Sequence, residues 1–435
     1  MSEQLSTSTE LPPTSPTEAY AADLARLQQP GPLGPSDDAW LVLGHTLSRF
    51  AACPSADVGR AATGAADLLA VSAVAMGLSA ESTVLRAARA LRALHQPEPV
   101  FVASYDPCTE LVVATQAVAE EQELAGAFGL AYATLYSLLA AFGDRVTPRA
   151  HGNVLAQMGR AARQFGAMDL ASNLYDDALA IGYHCEALDV VARALLGHGS
   201  LALTRGNYPS AREHFERALI NADLAKETEL IRNAHHGLQN CGMASGDLDA
   251  ALVHGWNVLR LCIEPDSRAE ALLNMAEVCR LTGEHDAALR TYAVAMEWTS
   301  QRKILLHGMS GALQSAIAIN RVADSRRFVA TLAEALATTP DLYSRAVIGI
   351  EFADSLHRLG DVQGAVAHLQ GAKAVAEAHS FHELVHRAEQ AANAWNRTPA
   401  PVDTVSLQTR RKRPRRSEHF RMVLRSLNGL TASSR

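Results

Sequence analysis

The chain is poor in aromatic side chains. Phe, Trp and Tyr make up 5% of its 435 residues, and the apolar content is carried mostly by Ala and Leu, which are strong helix formers. A β-sandwich or barrel of this length needs far more Val, Ile, Tyr and Thr, so the composition excludes an all-β fold. Cysteine is also sparse. Cys53, Cys108, Cys185, Cys241, Cys262 and Cys279 include no Cys-x-x-Cys pair, which argues against a zinc ribbon or a thioredoxin-like site. Most lie among apolar helical residues, where a free thiol behaves as a small hydrophobe, a usage that suits a reducing cytoplasm. No run approaches the ~18 apolar residues that a membrane span requires. The opening MSEQLSTSTELPPTSPTEAY has neither the basic start nor the apolar centre of a signal peptide. The expectation is a cytoplasmic protein with no transmembrane segment.

Motifs of chemistry are absent as well. No Gly-x-Gly-x-x-Gly follows a strand, and no Gly-Lys-Ser/Thr loop is present to cradle phosphate. The string HGMSG at His307–Gly311 places its serine inside a helical run rather than on a strand-to-helix elbow. One motif does invite a metal. In HELVH, His382 and His386 are four apart and share a helix face, where two imidazoles can hold zinc while Glu383 activates water. His379 lies one turn earlier. Against this, the charged Arg387 follows the second histidine, and the chain leaves the helix for a linker before a third ligand arrives. The stretch reads instead as an ordinary helix, and no cofactor, no metal and no enzyme activity are expected.

The net charge of −7 is unevenly distributed. Nine basic residues and one acidic residue between Arg410 and Arg435 give that stretch +8, so the rest of the chain carries −15. An acidic body repels nucleic acid, whereas a basic tail attracts anions. Residues 1–36 are rich in Ser, Thr and Pro and read as a disordered leader. Residues 37–107 read as a helical N-terminal segment, with helices over AWLVLGHTLSRF, GRAATGAADLLAVSAVAM and AESTVLRAARALRALH, closed by the proline-bearing QPEPVFVASYDP. Residues 398–409 are a polar, proline-bearing linker, and residues 410–435 form the basic tail.

Between residues 108 and 397 the chain is periodic. Gly126, Gly166, Gly206 and Gly246 are 40 residues apart, Gly283 follows 37 later, and Gly360 lies 77 beyond that. Each ends one amphipathic helix and begins a tight turn into the next, where a left-handed residue is needed and glycine adopts that conformation without strain. Small residues recur seven before this glycine (Gly159, Gly199, Ala276, Ala353) and five after it (Ala171, Ala211, Ala251, Ala288, Ala365). A large residue recurs nine after it (Tyr175, Phe215, Tyr292, Leu369). Small residues let two helices approach closely, the large one fills the gap to the next pair, and each pair alone leaves an apolar face bare. Seven helix pairs fit this frame. The one after Gly283 has the turn INRVADSRR, which lacks glycine.

This small–Gly–small–aromatic–Ala order resembles the tetratricopeptide repeat family, with a longer period like that of bacterial regulatory and signalling members. The resemblance implies an all-α, right-handed superhelical solenoid of antiparallel helix hairpins, with the first helix of each hairpin lining a concave groove. On this chain the groove positions are Arg160, Arg163, Arg193, Asn233, His236, Asn240, Glu277 and Arg280. Asn amides can hold a peptide backbone and Arg can pair a carboxylate bidentately, so the expected partner is an extended or helical acidic peptide. In the family's clamp for an anionic terminus a basic residue stands four before a groove Asn; here that place holds His236 before Asn240.

The tail carries Arg410, Arg411, Lys412, Arg413, Arg415 and Arg416 within seven residues. A helix after it would put Phe420, Val423, Leu424 and Leu427 on one face. Such a segment suits weak, non-specific contact with nucleic acid or an anionic surface, or serves only to keep the chain in solution. The reading is therefore a protein-binding scaffold or regulatory adaptor in bacterial signalling. The alternatives are a transcription-linked regulator whose tail touches nucleic acid and a metal-dependent hydrolase acting through HELVH.

Overall fold

The computed structural model describes residues 43, 47, 82–95, 106–379, 381–397 and 416–433. The expected leader, the linker and the helices over residues 39–50 and 59–76 fall outside these, apart from Leu43 and Leu47, which are helical and buried. Every regular element among the described residues is helical, and none is long and apolar enough to cross a membrane. The chain divides into two compact units, Met1–Ile231 and Arg232–Arg435.

In the first unit α1 (Thr83–His95) packs on α2 (Pro107–Leu124). Three hairpins follow: α2 with α3 (Phe128–Phe142), α4 (Pro148–Gln164) with α5 (Met168–His184), and α6 (Leu188–Thr204) with α7 (Tyr208–Ala225). The start of α2 is cleanly specified. Asp106 accepts from the backbone N–H groups of Cys108 and Thr109, and Pro107 occupies the first helical position, where its missing N–H costs nothing. The second unit holds four hairpins: α8 (Thr228–Ser245, from its second turn) with α9 (Leu248–Leu261), α10 (Pro265–Leu281) with α11 (His285–Glu297), α12 (Arg302–Ala318) with α13 (Val322–Ala337), and α14 (Leu342–Arg358) with α15 (Val362–Ala378). α16 (His382–Arg397) caps α14 and α15. In the first unit α2, α4 and α6 touch in turn, and in the second α10, α12 and α14 do; the first helices form the A face of each unit and the second helices its B face.

All six turn glycines take positive φ, from 74° at Gly206 to 94° at Gly166. Around Gly166 the N–H of Ala167 bonds the carbonyl of Ala162 at 2.9 Å and the glycine N–H bonds that of Arg163 at 3.1 Å, the paired closure that satisfies the last carbonyls of a helix. The turn without glycine closes the same way. Asn320 takes φ 57°, and Arg321 bonds back to Ala316 at 2.9 Å. Asn is the residue that best tolerates this region after glycine.

The small positions are small because rings lie against them. A Cβ built on Gly159 would stand 2.7 Å from the Tyr175 ring, and one on Gly199 would stand 2.6 Å from that of Phe215. Tyr175 also presses on Gly197 of the next hairpin, and Tyr292 presses on Gly311, both too closely to admit a side chain. Tyr175, Phe215 and Tyr292 are buried, as are Ala171, Ala211, Ala251, Ala288 and Ala365.

The α8–α9 hairpin inverts this rule. Seven before Gly246 stands Gln239, and nine after it stands Gly255. A Cβ on Gly255 would meet the Gln239 amide at 2.6 Å and Met275 at 2.9 Å. The large side chain therefore comes from the opposite helix, and its amide is fully buried with neither oxygen nor nitrogen bonded.

The segment after residue 415 packs back on the second unit. α17 (Glu418–Ser433) lies against α9 and α11, with Phe420, Val423 and Leu427 buried and Leu424 half-buried. The Asp249 carboxylate accepts from the Ser417 backbone N–H at 2.6 Å and pairs with Arg416 at 3.2 Å, while Arg290 donates to Asn428 at 2.8 Å.

Two stability measurements follow. Replacing Ala211 or Ala288 with Leu should overpack a helix crossing and cost about 1–3 kcal/mol in urea denaturation; an unchanged midpoint would mean that the repeat frame is misplaced. Gln239→Met should stabilise, because a buried unsatisfied amide costs about 1–3 kcal/mol; a loss of stability would mean that the amide has a partner.

Candidate functional site

The A face is polar in a regular way. Six before each turn residue stand Glu120, Arg160, Ser200, Asn240, Glu277, Gln314 and Asp354, and thirteen before it stand Asn153, Arg193, Asn233, Glu270 and His307. Seven residues separate the two rows, two helical turns, so they share one face. Inspection of the sequence alone names Arg160, Asn240 and Glu277 from the first row and Arg193 and Asn233 from the second. It misses Glu270 and His307, and the same count of thirteen from the turn would have found them.

In the first unit, Arg160 on α4 grips Glu123 on α2. Its Nε lies 2.7 Å from Oε2 and its Nη2 donates to Oε1 at 3.2 Å, with Glu120 at 3.8 Å. Gln157 and Gln116 bridge the same two helices, side chain to side chain at 3.2 Å and side chain to backbone at 3.0 Å. Arg149 and Asn153 close on the buried Asp189 of α6 at 3.0 and 3.3 Å. Arg163 bonds the hydroxyl of Tyr175. Arg193 has only the distant charge of Glu120. Neither Arg163 nor Arg193 has a carboxylate within ion-pair distance among the described residues, and the buried Nε of each is unbonded.

In the second unit the expected residues split into two clusters. Glu277 and Arg280, one turn apart on α10, bind each other, and the Tyr292 hydroxyl donates to Glu277 at 2.8 Å. Burial alone would raise the Glu277 carboxyl, but the Arg280 hydrogen bond and charge bring it below its ordinary range. That hydrogen bond to Glu277 in turn raises Arg280. These two are held in place by each other. The network continues through Ser310, which donates to Glu351 at 2.7 Å, to Arg387, 3.7 Å from Glu351.

Asn233 and His236 fall in the second cluster, an open cleft of about 140 Å³ between α8 and α10 that also takes in Arg232, Ser267, Glu270 and Asn274. Asn240 lies one turn further along, 3.4 Å from the His236 ring. Burial holds the His236 imidazole below its ordinary pKa, against the pull of Glu270.

The remaining candidates are not drawn together. His382, Glu383 and His386 lie exposed on α16, with His386 against Gln390 at 2.8 Å. Among the described residues no three His, Cys, Asp or Glu side chains are placed to hold a metal. The described cysteines are free thiols, and burial pushes the Cys279 thiol up to about 12. Arg410, Arg411, Lys412, Arg413 and Arg415 lie outside the described residues. Arg416 does not face solvent as an anion site: it pairs with Asp249, donates to the Thr282 carbonyl at 3.2 Å and lies over the Phe420 ring.

Turn geometry, knob packing and repeat order define a tetratricopeptide-like array of helix hairpins. No protein-family model matches the chain, and no curated protein matches it. Among solved structures, it is similar to aspartyl phosphate phosphatase F from Bacillus subtilis, with 12% identity and a TM-score of 0.49 over 80% of this chain and 96% of that one. It is also similar to a Rap protein complexed with competence and sporulation factor, with 11% identity and a TM-score of 0.47 over 81% and 99%. PilF of Pseudomonas aeruginosa gives 15% identity and a TM-score of 0.41 over 54% and 96%. The functional reading comes from the chain's own residues.

The histidines give the fold a pH dependence. Burial lowers the pKa of His151, His198, His214, His235, His236 and His307. Unfolded, each takes a proton near the ordinary value of about 6.5. Below that pH the unfolded chain therefore binds more protons than the folded one, and stability falls. Thermal midpoints should drop steadily between about pH 7.5 and pH 5.5; a flat or rising profile would mean that these rings protonate freely in the fold.

Proposed function

We propose that the chain is a protein–protein interaction scaffold, a regulatory adaptor that binds an acidic partner peptide or helix along its A face. The observation that carries this reading is the pair Arg163 and Arg193. Neighbouring Arg149 and Arg160 each hold a carboxylate of the fold, whereas these two have none, although both are anchored on helices whose packing fixes them. A guanidinium with no carboxylate of its own in the fold gains most from one supplied by a partner, because charged hydrogen bonds are the strong ones. On the A face of the second unit, Asn233, with no hydrogen bond of its own among the described residues, and Asn240 offer amides suited to a peptide backbone. A face on stacked, glycine-locked helices loses little entropy on binding. The reading assigns no chemistry to the chain. Its signalling context is that of the long-hairpin proteins the sequence resembles.

Affinity capture from native cells with the intact chain supplies the partner, and the purified partner is then titrated against Arg163→Ala/Arg193→Ala. Affinity should fall by at least about tenfold, with circular dichroism unchanged and with weaker binding as salt rises. Full affinity in the double variant would overturn the reading.

A further inference from the structure

The cleft between α8 and α10 has a chemistry of its own. Its α8 wall presents the Arg232 guanidinium and the Asn233 amide; its α10 wall presents Ser267, Glu270 and Asn274, with His236 between them. Arg232 and Glu270 act on the same two neighbours, His236 and Cys262, yet they form no ion pair with each other or with any other described residue. The hydrogen bond of Arg232 goes to the Cys262 sulfur, a weak acceptor. The carboxylate of Glu270 has no bonded partner. The amides of Asn233 and Asn274 are equally unengaged among the described residues.

The cleft also contains the start of α10. That helix begins at Pro265 behind Glu264, whose side chain makes no capping bond, so its first backbone N–H groups have no acceptor from that residue. The positive end of the helix and the guanidinium both favour an anion in the cleft. One turn along, Glu270, with the Oδ1 of Asn274 a further turn on, favours a cation. The floor between is apolar, made by Val258 and Ala271, both buried.

We infer that this cleft binds a small zwitterion, an α-amino acid with a short aliphatic side chain. Its carboxylate would lie against Arg232 and the start of α10, its ammonium against Glu270 and Asn274, and its side chain on Val258 and Ala271. An anion alone would leave Glu270 facing it unscreened, and a cation alone would leave Arg232 so; only a ligand carrying both charges satisfies both walls. A volume of about 140 Å³ suits one such molecule and excludes a folded partner. The inference stands whether or not the A face takes a peptide, because it rests on Arg232 and Glu270, which the capture experiment leaves untouched.

The test is titration calorimetry of the full chain with valine, beside isobutylamine, which is valine without its carboxylate, and isovalerate, which is valine without its amine. Valine should bind saturably, and the two half-ligands should bind at least about tenfold more weakly. Arg232→Gln and Glu270→Gln should each weaken valine to a similar degree; Glu270 is exposed, so its variant keeps the fold even where the Arg232 variant does not. Absence of saturable binding by valine and by alanine would overturn the assignment. Isovalerate or isobutylamine matching valine, or valine binding unchanged in Glu270→Gln, would overturn it equally.

Discussion

Everything in this molecule depends on how closely two helices of a hairpin approach. In two hairpins a ring from the second helix lies against a residue with no side chain on the first, Tyr175 on Gly159 and Phe215 on Gly199, and Tyr175 and Tyr292 also reach Gly197 and Gly311 of the next hairpin. The ring is what makes each hairpin need its neighbour, since a lone hairpin would leave it half in water. In these hairpins the ring contact also fixes the rotation of the first helix. Once the seventh residue before the turn must face a ring, the sixth and thirteenth must face away from the B helix, and the polar rows of the A face follow without further instruction.

The α8–α9 hairpin is where this constraint is broken and kept at once. Gln239 and Gly255 exchange the large and small roles, so the volume is conserved, but the filler is now an amide with no partner. Natural sequences tend to break such local rules near functional sites. Here Gly255 stands one turn from Val258, and Met275, which crowds it, follows Asn274 in sequence; Val258 and Asn274 line the cleft. Hairpins with an aromatic knob are ordinary scaffold; this one gives up stability where the surface opens.

Much of this was legible in the chain. Glycine spacing located seven turns' worth of hairpins, and the small and large positions named Ala211, Ala288, Tyr175 and Tyr292 as core before any coordinates. The turn in INRVADSRR lacks glycine, and there Asn320 adopts the left-handed conformation that glycine takes in the other turns. Pairing was less legible. Arg160 and Glu277 stand in one row, with Arg280 a turn beyond Glu277, but whether a charge is free or already matched depends on what packs alongside, which periodicity does not report. For the same reason Arg232 and Glu270 escaped notice: neither is unusual until the two are seen facing one cleft unpaired. The basic run at 410–416 misled in part. Its last member, Arg416, carries a charge that Asp249 neutralises, a contact between residues 167 apart in the chain.

The central claim is that recognition belongs to the A face. Site-specific photo-crosslinking in native cells tests it most directly, with the reactive residue placed in the first unit at Glu120 or Ser200 on the A face, or at Ile220, an exposed position on a B-face helix. The account predicts that a common partner is captured from Glu120 and Ser200 and not from Ile220. Capture from Ile220 alone, with both A-face positions silent, would contradict it.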